Sequence, residues 1–285
     1  MILRFTAHLT AVLCLCMFVP FTAAQETFTA APETPSLLSA FFGLDDALPR
    51  TAAGLCRRAP GRDGMPVIFS HEIDPDTLQP EDFLVVTETG AASTPLCATL
   101  SPAIDAGELR TVLLIGDFGS AETDPPVSVG IVGDVLTSGN PTINFLGARV
   151  DVTPLSAGPG LVLAERVPES YWALDQRSGR QQGDGCPSDG TVQVVRTTWA
   201  GGVSNAQGDE AGDAERLLYR VIVRLPDGAD TDVTPFALAD LGDGDNNHLL
   251  CLDVAGEPLR VTFPAGYLLD PNRDTLNPAA DIAIR

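Results

Sequence analysis

Residues 83–112 read FLVVTETGAASTPLCATLSPAIDAGELRTV, and residues 236–262 read FALADLGDGDNNHLLCLDVAGEPLRVT. The two stretches share an order. Phe83-Leu84 leads through a turn to Leu96-Cys97, then to Ala106-Gly107-Glu108 and Arg110-Thr111-Val112. Phe236-Ala237-Leu238 leads to Leu250-Cys251, then to Ala255-Gly256-Glu257 and Arg260-Val261-Thr262. The phenylalanine-to-cysteine spacings differ by one residue. Upstream, Cys56 precedes Asp63-Gly64, and Cys186 precedes Asp189-Gly190, each before a strand-like run. Self-similarity at this scale reads as two copies of one architectural unit.

Elsewhere, short runs rich in Val, Ile, Leu, Phe and Thr alternate with Gly, Pro, Asp and Asn. Residues 67–69, 83–87, 111–115, 127–132, 192–198, 219–225 and 259–263 read as strands. Turn signals recur at the interval of a β-sandwich, and 23 prolines with 27 glycines exclude a helical bundle. Ser36 to Leu48 spaces its apolar residues ambiguously, as a short helix or as a strand covering a sheet edge. The fold class read from this pattern is all-β, two tandem Ig-like β-sandwich domains. The expected limits are a signal peptide over 1–24, a leader segment over 25–54, sandwiches over 55–155 and 186–285, and a linker over 156–185, polar from Gln176 to Gly185.

The N-terminus carries Arg4 and an apolar run over 9–21 that is short for a membrane span. Thr22-Ala23-Ala24 then places small residues where a signal peptidase reads them. Cleavage is expected before Gln25, discarding Cys14 and Cys16. Later in the chain no stretch is long and apolar enough to span a membrane. Four cysteines remain, Cys56, Cys97, Cys186 and Cys251, an even number suited to two disulfides in an oxidising compartment. Four cysteines allow three pairings. The repeat selects one bridge within each half, Cys56–Cys97 and Cys186–Cys251. The expected location is periplasmic, secreted or at the cell surface.

Formal net charge is −21, and all 17 basic residues are arginine. So acidic a chain repels phosphate backbones and anionic lipid, which argues against nucleic-acid and membrane-surface partners. The absence of lysine excludes Schiff-base, P-loop and Ser-Lys chemistry.

The run Val67-Ile68-Phe69-Ser70-His71-Glu72-Ile73-Asp74-Pro75-Asp76-Thr77-Leu78, continuing to Glu81-Asp82-Phe83, resembles the early strands of the bacterial surface-layer-type (SbsA-like) Ig-like domain. Leu269-Asp270-Pro271-Asn272 through Leu276-Asn277-Pro278 resembles the closing turn of that family without its glycine. The match covers about a quarter of the chain. It implies a β-sandwich used for display, adhesion or spacing, and it supplies no catalytic residues. The paired cysteines depart from the family pattern.

Asp240, Asp243, Asp245 and Asn247 place hard oxygen ligands along one glycine-rich turn, as Ca²⁺ requires, and form the candidate metal site. A solvated Asp/Asn/Gly turn explains the same residues without a metal. Asp270, Asn272, Asp274 and Asp281 have EF-hand spacing, but Thr275 occupies the glycine position and two prolines interrupt the loop. His248 adjoins the acidic turn, where a His–carboxylate pair could serve as an acid–base unit or bind a transition metal. His71 follows Ser70, and neighbours on a strand face opposite ways, so no dyad is expected there. Tyr171, Trp172 and Trp199 could line a sugar-binding surface or fill the core.

The leading expectation is a non-catalytic exported β-sandwich protein for display, adhesion or binding of a protein or glycan ligand. The alternatives are a secreted metal-dependent hydrolase using residues 240–248 and a structural calcium-binding protein.

Overall fold

A computed structural model describes residues 34–179 and 181–285. The expected signal peptide and the first part of the expected leader lie outside the described residues. Eight strands build the first half: β1 (Leu37–Phe41), β2 (Asp63–Phe69), β3 (Phe83–Thr87), β4 (Ala92–Ser93), β5 (Cys97–Thr99), β6 (Thr111–Gly116), β7 (Pro126–Ile131) and β8 (Arg149–Thr153). Ten build the second: β9 (Leu161–Arg166), β10 (Gln193–Trp199), β11 (Ser204–Asn205), β12 (Arg220–Arg224), β13 (Asp230–Val233), β14 (Ala237–Ala239), β15 (Asn247–Leu252), β16 (Glu257–Phe263), β17 (Leu268–Leu269) and β18 (Ala280–Ala283). The described α-helix is one turn, α1 (Asp213–Arg216). Among the described residues, no helix is long and apolar enough to cross a membrane. The fold is all-β, with two sandwiches in tandem.

The first sandwich is a single sheet that closes over its own core, ordered β4-β3-β7-β8-β1-β2-β6-β5. β3 shows why it forms. Phe83, Val85 and Thr87 alternate inward and are buried, while Leu84 and Val86 are half-buried on the other face. Phe69 lies at the centre, edge-on to Phe145 at 4.8 Å and to Phe83 at 6.3 Å. Leu37–Phe41 is a strand and not a helix. It sits inside the sheet, antiparallel to β2 and parallel to β8, so this part of the expected leader is an integral strand.

The second sandwich packs the sheet β14-β15-β10-β9 on the sheet β13-β12-β16-β18. Trp199, Tyr219, Val221, Leu250, Val261 and Phe263 fill the space between them. β9 corrects the expected linker. Leu161, Leu163 and Ala164 are buried, and β9 pairs with β10 as an edge strand of the second sandwich. Both faces of β10 and β15 are covered, and every residue of β15 is buried.

The disulfides join Cys56 to Cys97 and Cys186 to Cys251. Separations of 41 and 65 residues make each worth about 4 kcal/mol by loop-closure entropy. Strand pairing does not follow the repeat. β5 pairs with β6, whereas β15 pairs with β14 and β10 and not with β16. The halves share turn chemistry and cysteine placement and differ in how their strands are ordered.

Candidate functional site

The sheet face of β10 and β15 that looks away from the second core meets the first sandwich. Arg196, midway along β10, is 3% exposed. Its guanidinium donates to the carbonyls of Gly107 at 2.7 Å and Ala106 at 2.9 Å, both in the loop before β6. It forms ion pairs with Glu108 at 3.1 Å and Glu165 at 3.5 Å. Arg110 of the first sandwich reaches Glu165 at 3.2 Å, and Asn246 donates to Thr111 at 3.2 Å. Gly107 is at φ 88°, and a Cβ there would stand 2.7 Å from Arg196 Nη1. Only glycine allows the loop to close on the guanidinium.

Three chain segments converge beside this arginine. Asp240 follows β14, and its amide donates to Asp184 O at 2.8 Å. The Leu241 amide donates to Asp184 Oδ1, and the Gly183 amide donates to Asp105 Oδ2 at 3.0 Å. A Cβ at Gly183 would stand 2.4 Å from Asp240 Oδ1, so this approach also needs glycine. One oxygen from each of Asp105, Glu108 and Asp240 lies within 4.8 Å of the others. Glu108 is 1% exposed and Asp240 3%. The atoms Glu108 Oε2, Asp240 Oδ2 and Asp105 Oδ1 are buried and have no hydrogen-bond partner.

Crowding sets the proton affinities. Burial, then the charge of Asp240, pushes Glu108 well above the carboxylate range. Burial lifts Asp240 to about 7 against the opposing pull of Glu108 and Arg196. Burial, then neighbouring carboxylates, lifts Asp245 well above its ordinary value, and burial lifts Asp243 and Asp105. A buried carboxylate group of this kind, with one arginine beside it, attracts either protons or a cation. Beside it lies a cavity of about 220 Å³ whose lining includes Tyr171, Gln176, Gln182 and Asp184.

The four residues of the acidic turn are divided by the structure. Asp240 faces the joint. Asp245 accepts from the Asn247 amide and side chain, both at 2.7 Å, and Asn247 in turn accepts from Thr198 at 2.8 Å. Asp243 accepts from the Asp245 amide at 3.3 Å and keeps Oδ2 without a partner. Asp281 stands on β18 paired with Arg260, while Asn272 donates to Gly43 O, so the EF-hand spacing does not gather one ligand set.

His248 points the opposite way from the acids. Arg196 and Leu249 pair across β10 and β15, as do Thr197 and His248, and alternate pairs face opposite sides. His248 is 3% exposed within the second core. Trp199 Nε1 donates to the Tyr219 hydroxyl at 2.9 Å, and that hydroxyl is hydrogen-bonded to His248 Nδ1 at 2.8 Å. Burial lowers His248 to about 4 and raises Tyr219. Trp199 is fully buried, and Trp172 donates to Val167 O, which leaves Tyr171 as the exposed member of the three aromatics. Ser70 and His71 do touch, against expectation. β2 ends at Phe69 and the chain bends, bringing Ser70 Oγ to 2.9 Å from His71 Nδ1.

Sequence reading missed Asp105, Glu108 and Arg196. Arg196 had a signal, as a single cation inside the apolar and β-branched run Val194 to Thr198. Glu108 stood in the repeated Ala-Gly-Glu, but its counterpart Glu257 is exposed at the start of β16.

No family model matches the chain, and no curated protein matches it. Among solved structures it is similar to the N-terminal part of the bacterial S-layer protein SbsC, at 12% identity and a TM-score of 0.30, over 88% of this chain and 44% of that one. It is also similar to surface layer protein SbsC, domains 1–6, at 11% identity and a TM-score of 0.27, over 88% and 41%. The chain therefore spans less than half the length of either. The resemblance is weak, and no residue role passes from them to this chain.

Proposed function

We propose that this chain is an exported, non-catalytic β-sandwich protein that acts at the cell surface as a rigid display or spacer unit, presenting its outer strands and loops to a protein or glycan ligand. The observation that carries this reading is the buried joint. Arg196 of the second sandwich is held by two carbonyls and a carboxylate of the first, which favours one stiff body over two tethered domains. Two disulfides support folding in an oxidising compartment.

The hydrolase alternative finds little support. Its acid–base candidate, His248, is enclosed in the second core, on the far side of the sheet from the carboxylates. A substrate that reached Asp240 would not meet the imidazole.

The test is expression in a secreting bacterial host. The exported protein should begin at Gln25, contain no free thiol, and bind cell-wall glycan or surface protein in a pull-down from the native envelope. Hydrolytic activity abolished by His248→Gln in a folded variant would overturn the non-catalytic reading.

A further inference from the structure

Asp105 and Glu108 come from the first sandwich and Asp240 from the second, yet their oxygens share one spot. Glu108 Oε2 and Asp240 Oδ2 are the telling atoms. Both belong to side chains almost wholly removed from water, neither accepts from an N–H or a hydroxyl, and the two carboxyl groups lie close enough to share one proton when no cation is bound. A buried acceptor without a partner costs about 1–3 kcal/mol, and more when charged. Asp105 Oδ1 is likewise buried without a partner, and one oxygen of each residue lies within 4.8 Å of the others, which concentrates negative potential at this spot.

We propose that Asp105, Glu108 and Asp240 form a divalent-cation site, taking Ca²⁺, that bridges the two sandwiches. The ligand set is all carboxylate oxygen, which suits a hard cation and not zinc or copper. Ca²⁺ binds oxygen at about 2.3–2.6 Å, so opposite ligands stand roughly 5 Å apart. The observed mutual limit of 4.8 Å fits that shell. Each residue keeps one oxygen for the ion, because Asp105 Oδ2 is held by the Gly183 amide and Glu108 Oε1 by Arg196. The adjoining cavity has room for waters to complete the coordination, between the side chains of Gln176 and Gln182. This site differs from a turn site on Asp240, Asp243, Asp245 and Asn247. Asp245 and Asn247 commit their oxygens to hydrogen bonds within the turn and to β10.

The experiment uses the purified, disulfide-intact mature protein at fixed ionic strength. Thermal melts are recorded with CaCl₂ and with chelator, and Tb³⁺ is titrated as a Ca²⁺ substitute, with emission excited through Tyr171 at the cavity. Wild type should melt higher with Ca²⁺ and show saturable Tb³⁺ emission that Ca²⁺ displaces. Glu108→Gln and Asp240→Asn, one in each sandwich, should each raise the half-saturating Tb³⁺ concentration about tenfold or more, since even outer-shell changes cost that much. Asp243→Asn and Asp245→Asn should change it little. Both main variants remove repulsion among buried acids, so they should fold. Asp105→Asn is the second variant at the first-sandwich end, should Glu108→Gln not fold. No Ca²⁺ shift in wild type would overturn the proposal, leaving a proton shared by Glu108 and Asp240. Loss of binding in Asp245→Asn with none in Glu108→Gln would also overturn it, by placing the ion in the turn.

Discussion

Replacing Arg196 with methionine preserves bulk and removes the charge at the joint. The guanidinium makes two bonds to carbonyls, at 2.7 and 2.9 Å, and a 3.1 Å ion pair with Glu108, all at 3% exposure. Removing one partner of a buried pair costs about 3–5 kcal/mol, chiefly because the other charge remains buried. Here Glu108, Asp105 and Asp240 lose their nearest cation, while Arg110 still serves Glu165. The expected loss is therefore about 3–5 kcal/mol, and it falls on the coupling between the sandwiches. The two tryptophans, Trp172 and Trp199, both report on the second half of the chain, whereas far-UV circular dichroism reports on both halves. In wild type, urea unfolding followed by the two probes should coincide. In Arg196→Met the curves should separate as the sandwiches unfold independently. A loss under about 1 kcal/mol with coincident curves would show that this arginine does not couple them.

His248→Gln should flatten the acid side of the stability profile. The histidine falls to about 4 in the folded state from its ordinary 6.5, so its contribution is intact above about 6.5 and is lost as pH falls toward about 4. Wild type should lose about 3 kcal/mol more than the variant between about pH 7 and 4, by urea melts, and equal slopes would count against a neutral buried imidazole. Joint replacement of Cys186 and Cys251 by serine should cost about 4 kcal/mol in denaturant titration, against none if the bridge does not form. Phe69→Ala removes a fully buried ring packed edge-on to Phe83 and Phe145, and calorimetry should show a loss of about 3–5 kcal/mol. Gly183→Ala drives a methyl group against Asp240 and should lower the melting temperature, whereas an unchanged value would mean the 182–184 segment yields.

The sandwiches were legible because their strands advertise themselves. Phe83–Thr87 alternates in and out, and the β-branched runs at 111–115 and 192–198 are bounded by turn residues. The disulfides were legible through cysteine placement, although the strands beside them pair differently in the two halves. β1 was ambiguous because Leu37, Leu38, Phe41 and Phe42 satisfy helical spacing as well as they fill a buried strand. β9 was hidden inside a stretch whose later half is polar. The acidic turn drew attention through its density of aspartates, but the joint takes only Asp240 from it. Asp105, Glu108 and Arg196 are not adjacent in any one motif, so only the packing of one sandwich on the other brings them together.

A distance measurement across the joint decides whether the two sandwiches form one stiff body. Spin labels carried by noncanonical residues at exposed Ala92 and Asp232, one on each sandwich, leave the disulfides untouched. One narrow distance distribution is expected from the joint that Arg196 closes. A broad or multiple distribution would mean two domains on a tether and would contradict it.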